Sequence, residues 1–267
     1  MKKNKITHIN GRGVLKSANE IEVTNGKKND SVKADSIIIA TGARPRIFPG
    51  MEPDGKQVIT SKEAMILKEP PKKMVIIGAG AIGAEFAYFY NEYGTQIHLI
   101  EMMSNILPVE DVDVSKEVEK SFKKSGIKIY TETKVTQIEK LKTRVKVHAE
   151  KGGKSQTIDA DIVLNAVGVT GNIENIGLDD IGVKTDRGAI TINEFNQTSV
   201  PNIYAIGDVS GPPWLAHVAS AQGHVAAEHA AGENAHPVDY SNIPGCTYCQ
   251  PQVASLGMTE AVAKEMG

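Results

Sequence analysis

MVIIGAGAIGAEFAYFYNEYGTQIHLIE, from Met74 to Glu101, decides the fold. A short apolar run, Met74 to Ile77, leads into glycines at 78, 80 and 83, spaced G-x-G-x-x-G. A helical pattern follows, with Ile82, Phe86, Phe89, Tyr90 and Tyr93 expected on one face. Gly94 is placed to end that helix in a left-handed conformation. A second apolar run, Ile97 to Ile100, closes on Glu101. Strand, tight turn, helix, strand and acid, in that order, make a βαβ unit suited to a dinucleotide.

Each glycine has a physical task. Gly78 allows the tight turn out of the strand, Gly80 lets the backbone approach a pyrophosphate, and Gly83 lets the helix pack closely on the sheet. The free N–H groups and positive dipole end of the helix then face the phosphates. Glu101 lies 18 residues beyond Gly83, at a strand end where a carboxylate can accept from both ribose hydroxyls. An acid there repels a 2′-phosphate, and the next residues, Met102 to Asn105, carry no cation. The expected ligand is NAD(H), not NADP(H).

The rest of the chain sets bounds. At 267 residues, 40% apolar and 23% charged, it has the composition of a soluble protein with room for two domains. A net charge of −2 gives no electrostatic case for nucleic acid or an anionic membrane. No apolar run reaches the roughly 20 residues of a membrane-spanning helix. The start, MKKNKITHINGRG, lacks the apolar region of a signal peptide. Two cysteines make no disulfide framework, and a reducing cytoplasm is expected.

Outward from the glycine loop, the pattern is of two interleaved domains. Ile6–Ile9, Gly13–Leu15 and Ile21–Val23 suggest short antiparallel strands, with a turn at Asn25-Gly26. Asp35 to Thr41 suggests a buried strand ending in Thr41-Gly42. Ser61 is placed to cap a short helix, and Pro70-Pro71 marks a boundary. A helix from about Asp113 to Lys124 should bury Val114, Val118 and Phe122; Asp111 and Asp113 at its start suit the macrodipole. A small antiparallel sheet follows, then a buried strand, Asp161 to Val167, ending in Gly168. Ile203 to Ile206 is a strand ending in Gly207-Asp208, where ligands bind in open α/β sheets. A small-sided helix, Leu215 to Gly232, comes next, and a strand is expected over Pro244 to Gln250. The fold class is α/β: a Rossmann-like dinucleotide-binding domain (71–169) inserted between two pieces of another domain (1–70 and 170–240), followed by the start of a further one (241–267).

Four motifs in this order give the chain a family resemblance: Thr41-Gly42-Ala43-Arg44-Pro45, the loop at Gly78–Gly83, Thr198 through Tyr204-Ala205 to Gly207-Asp208, and Leu215-Ala216-His217. The chain resembles the flavin-dependent pyridine-nucleotide–disulfide oxidoreductases, and within them the dihydrolipoyl dehydrogenase group. The resemblance implies an NAD set of Gly78, Gly80, Ala81, Ile82, Gly83, Glu101, Val135 and Gly168. It implies that the NAD-binding domain (71–169) is inserted between parts of an incomplete FAD-binding domain (1–70 and 170–240), with the start of an interface domain at 241–267, and an FAD side of Thr41, Gly42, Gly207, Asp208, Ala216 and His217, with Asp208 on the ribityl chain. Glu85 is implied to reach toward the flavin as an accessory group. The implied reaction passes electrons from dihydrolipoamide through a redox disulfide and FAD to NAD+. The implied partners are lipoyl domains of 2-oxo acid dehydrogenase complexes and a second copy in a homodimer.

The family's first FAD glycine loop, its C-x4-C redox pair and its catalytic His-Glu pair have no counterpart in the 267 residues. The expectation is an internal piece of such an enzyme, with no catalytic residue and no metal ligand of its own, inactive in isolation. Cys246-Thr-Tyr-Cys249 does not replace the redox pair. In the strand expected there, i and i+3 point to opposite faces, and no helix N-terminus lowers a thiol pKa. His217 lacks a carboxylate partner and is expected to pack at the helix start. Two alternatives stay open: a non-catalytic NAD(H)-binding module, and another NAD-linked disulfide reductase of the same family.

Overall fold

The computed structural model describes residues 2–267, which form two compact units. Residues 45–169 with 241–267 make one, and residues 2–44 with 170–240 make the other. In sequence, a Rossmann-like α/β unit is therefore inserted into its companion. The first division falls at Arg44/Pro45, upstream of Pro70-Pro71, because Val58–Ile59 already pairs into the sheet of the inserted unit.

That unit begins with β1 (Val58–Ile59) and a one-turn helix, Ser61–Ala64. Thr60, not Ser61, caps this helix, and Glu63 completes a capping box. β2 (Lys73–Ile77), α1 (Ala81–Glu92) and β3 (Gln96–Ile100) follow, then α2 (Val112–Lys124) and β4 (Lys128–Tyr130). β5 (Lys134–Lys140), β6 (Val145–Lys151) and β7 (Lys154–Ala160) form an antiparallel sheet, and β8 (Ile162–Asn165) returns to the parallel one. The parallel sheet has the order β1-β8-β2-β3-β4.

Its strands are continuously apolar because both faces are covered. Met74, Ile76, Ile97 and Leu99 pack with residues of α1 and α2. Val75, Ile77 and Ile100 alternate onto the other face, against Val145, Val147 and Ile158.

The helix faces differ from the periodicity in one instructive way. α1 buries Gly83, Ala84, Ala87 and Tyr90, while Ile82, Phe89 and Tyr93 are exposed. Small residues let the helix axis approach the sheet; a row of aromatics would hold it away. The displaced rings pack on one another, Phe89 against Tyr93 at 4.9 Å and edge-on to Tyr90 at 5.1 Å. In α2, Ser115 takes the buried place expected of Val114, beside Val118 and Phe122.

The 241–267 segment supplies a hairpin, Gly245–Thr247 with Val253–Ser255, and a last helix, Glu260–Met266. The strand expected through Gln250 stops at Thr247, where the chain turns over 248–252 to pair with Val253–Ser255. Cys249 therefore lies in the turn, not in a strand. Cys249 and Val253 join the core beneath α1.

The companion unit opens with a meander, Arg12–Ser17, Glu20–Asn25 and Lys28–Lys33, with Asn25 and Gly26 at the second turn. Ile6–Ile9 form no strand. Ile37–Ile39 pairs in parallel with Ile203–Ala205 across 166 residues of sequence. The helix Ala216–Ala230 follows the second of these strands. Leu15, Ile37, Ile39, Leu178, Ile190 and Ile203 centre this core. Among the described residues no helix is long and apolar enough to cross a membrane.

Candidate functional site

The glycine loop joins β2 to α1. Gly78 has φ +96°, and a side chain there would overlap the Ala166 carbonyl. A methyl on Gly83 would overlap the Gly78 carbonyl oxygen. These two glycines are thus fixed by the protein's own packing. Gly80 is different: its φ is −69°, and a Cβ there meets nothing within 4 Å. The space beside Gly80 is open, and no side chain caps the helix that starts after it. Ala81 and Ile82 lie exposed in the first helical turn.

Glu101 reaches back to this loop. One carboxylate oxygen accepts from the Ala79 N–H at 2.7 Å, the other from the Met103 N–H at 2.8 Å. The side chain is buried, at 8% exposure. Its backbone bonds Tyr130 and Thr133, so the strand end is held from the β4 side as well. The segment after it folds onto the glycine loop, where the Leu107 N–H donates to the Ala79 carbonyl at 2.7 Å. Lys151 is nearby through Glu132, its ion-pair partner at 3.1 Å, whose N–H bonds the Met103 carbonyl.

Val135 and Gly168 are less directly placed. Val135 is a core side chain between the two sheets. Gly168 has φ +95° and accepts from the Arg46 N–H. Glu85, half-buried in α1, accepts from the Tyr248 N–H at 2.8 Å. Near it, burial and the Glu85 charge push the Cys249 thiol up to about 11. Cys246 is exposed, and both thiols are free. Among the described residues no group of three or more His, Cys, Asp and Glu could hold a metal ion.

The companion unit gathers the other motif residues. Thr41 and Asn172 clasp each other: the Thr41 hydroxyl donates to the Asn172 carbonyl, and the Asn172 amide donates to the Thr41 carbonyl. The Gly42 carbonyl accepts from the Asn172 N–H. Arg44 pairs with Glu174 and bonds the Gly171 carbonyl. Gly207 has φ +70° and opens the single turn Gly207–Ser210 that carries Asp208. Among the described residues the Asp208 carboxylate has no hydrogen-bond partner. Ala216 and His217 are exposed at the start of their helix, where Leu215 supplies no side-chain cap.

Sequence spacing pointed to the glycines and the acid, but not to the Ala79 and Met103 donors or to Asn172. The first two are backbone groups, which carry no residue signal. Asn172 meets its partner across 131 residues.

Both cofactor groups fit on structural grounds. The inserted unit offers open space at Gly80, an uncapped helix start and a fixed carboxylate. A carboxylate has about four acceptor positions, so Glu101 keeps some free for ribose hydroxyls. The companion unit offers an unpartnered carboxylate beside a left-handed glycine and a second uncapped helix start, a set suited to a hydroxyl-rich, anionic ligand.

Fold and site define an α/β protein of Rossmann type, with a glycine loop and a fixed acid in one unit and an unpartnered carboxylate in the other. Comparison with known proteins narrows this. The family model for pyridine nucleotide-disulphide oxidoreductases matches residues 1–223, and the chain belongs to that family. It is similar to dihydrolipoyl dehydrogenase of Rhizobium etli, at 48% identity over 284 aligned positions, covering 100% of this chain and 59% of the relative. Among solved structures it is similar to LpdA from Mycobacterium tuberculosis (28% identity, TM-score 0.89, covering 97% of this chain and 57% of that one). The flavoprotein disulfide reductase RclA from Escherichia coli is also similar (26% identity, TM-score 0.86, 97% and 59% covered). The chain thus spans under three-fifths of the length of these relatives.

Proposed function

We propose that the chain carries the NAD-binding part, and a share of the FAD-binding part, of a flavin-dependent dihydrolipoyl dehydrogenase. The reaction would convert dihydrolipoamide and NAD+ to lipoamide and NADH. The observation that carries the reading is the Glu101 carboxylate, fixed to the glycine loop through the Ala79 N–H and with acceptor positions beyond its two hydrogen bonds, in a chain of this family. FAD, when bound, supplies the two-electron relay between a dithiol and the nicotinamide. The chain's own residues do the positioning. Gly80 and the N-terminal turn of α1 would take the pyrophosphate, Glu101 the adenosine ribose, and Asp208 the ribityl hydroxyls. The 2-oxo acid dehydrogenase complexes, through their lipoyl domains, are the partners this reaction calls for. A homodimer in the cytoplasm is the proposed setting.

A second reading has a specific observation in its favour. Cys249 is buried with its thiol pushed up to about 11, and Cys246 sits in a hairpin strand, so this cysteine pair is not poised for thiolate chemistry. On that reading the 267 residues hold NAD(H) and catalyse nothing. Purification followed by a visible spectrum and an assay for dihydrolipoamide-dependent NAD+ reduction decides between them. Stoichiometric flavin with turnover supports the oxidoreductase. NADH binding with neither flavin nor turnover supports the module.

A further inference from the structure

One buried polar side chain is not used by the reading above. Gln222, 3% exposed, lies in the helix Ala216–Ala230. Its amide oxygen accepts from the Gly207 N–H at 2.6 Å. Its amide nitrogen donates to the Tyr240 hydroxyl at 2.8 Å and lies 3.4 Å from the Ser210 hydroxyl oxygen. Both ends of the turn Gly207–Ser210 are therefore tied to one amide. The same helix packs directly on the turn, since a Cβ on Gly207 would stand 3.3 Å from that of Ala219. The Gln222 carbonyl in turn accepts from the side chain of Asn196, which is itself buried.

We propose that Gln222 is a positioning residue for Asp208, whose carboxylate it presents to the ligand by holding the Gly207 N–H and Ser210. Asp208 is the one member of the turn with a charged side chain, and it is left unpaired. A free carboxylate on an untethered turn would sample many directions; a buried amide that both accepts and donates fixes one. The Gln amide combines both functions in one neutral planar group, and Asn, which shares that group, is one methylene shorter. The inference rests on the reading of the companion unit as a flavin-side site.

The test pairs Gln222→Met, close in shape but without hydrogen bonds, with Asp208→Ala in a double-mutant cycle. The first readout is hydrogen exchange at the Gly207 amide, which needs no ligand. The second is FAD affinity by flavin fluorescence. The expected result is loss of Gly207 protection in Gln222→Met. FAD affinity should fall about tenfold with Asp208 present and less than about twofold in the Asp208→Ala background. Unchanged Gly207 protection overturns the tether. Equal losses of affinity in the two backgrounds overturn the action through Asp208. Failure of the unsubstituted chain to bind FAD, with Gly207 protection still dependent on Gln222, overturns the flavin-side reading and the positioning role, and leaves the tether standing. The readouts thus separate the two failures.

Discussion

Glu101 accepts a 2.7 Å hydrogen bond from the backbone N–H of Ala79, 22 residues upstream, and so ties the end of β3 to the glycine loop at the end of β2. Its second oxygen ties in Met103. The residue proposed to hold the ribose thus also shapes the loop proposed to hold the pyrophosphate. Glu101→Ala should strip two N–H groups of their acceptor. The expected cost is about 1–3 kcal/mol of stability and at least about a tenfold loss of NADH affinity. Urea unfolding and NADH fluorescence titration check this. Unaltered affinity would remove Glu101 from the site.

The three glycines should separate by experiment. Gly83→Ala places a methyl onto the Gly78 carbonyl and is expected to cost more than about 2 kcal/mol. Gly80→Ala meets no protein atom and has an ordinary φ, so stability should change by less than about 1 kcal/mol. NADH affinity should nevertheless fall, because the added methyl occupies space open to the ligand. Intact binding in a folded Gly80→Ala variant would contradict the pyrophosphate assignment.

His98 gives the inserted unit an acid-sensitive point. It is 4% exposed in β3; Nδ1 lies 3.0 Å from the Tyr130 hydroxyl, and Nε2 has no partner among the described residues. Burial, then the Lys73 and Lys128 charges, lower its pKa from 6.5 to about 4. Between those values the unfolded chain binds the extra proton and the folded chain does not. Stability should therefore decline as pH falls from 6.5 toward 4, by up to about 3 kcal/mol, and this contribution should level off below. Urea midpoints from pH 7.5 to 4 check the slope, and His98→Phe should flatten it. An equal slope in that variant would assign the effect elsewhere.

The two thiols should differ in reactivity. Cys246 is exposed, whereas Cys249 is 2% exposed with its thiol pushed up to about 11. Iodoacetamide at pH 8 should add one group to the native chain, at Cys246, and two after unfolding, as read by mass spectrometry. Rapid native labelling of both would argue against a purely structural Cys249.

Much of this arrangement was legible in residue order. G-x-G-x-x-G between an apolar run and a helical one, with an acid at the next strand end, specified the βαβ unit. The reason is local: turn geometry, close approach and strand alternation act within a few residues. The helix face was misjudged for an equally physical reason. Of the expected face Tyr90 is buried and Phe86 packs against the core, but Ile82, Phe89 and Tyr93 face outward while Gly83, Ala84 and Ala87 go inward, because a close approach to the sheet needs small side chains. The capping Thr60, the broken strand at Thr247 and the absence of a strand at Ile6–Ile9 are errors of one element's edge or extent.

By itself, then, the sequence determined which residues turn, which strands are buried on both faces, and that an acid follows the second strand. Only the tertiary structure decided what those residues hold. It set Glu101 on the Ala79 N–H, Thr41 against Asn172, Glu85 on Tyr248 and Gln222 on Gly207. Most of these contacts join distant segments, and most are made to backbone groups. Every non-proline residue carries the same N–H and C=O, so no residue type announces such a partner; chain topology alone brings it within 3 Å.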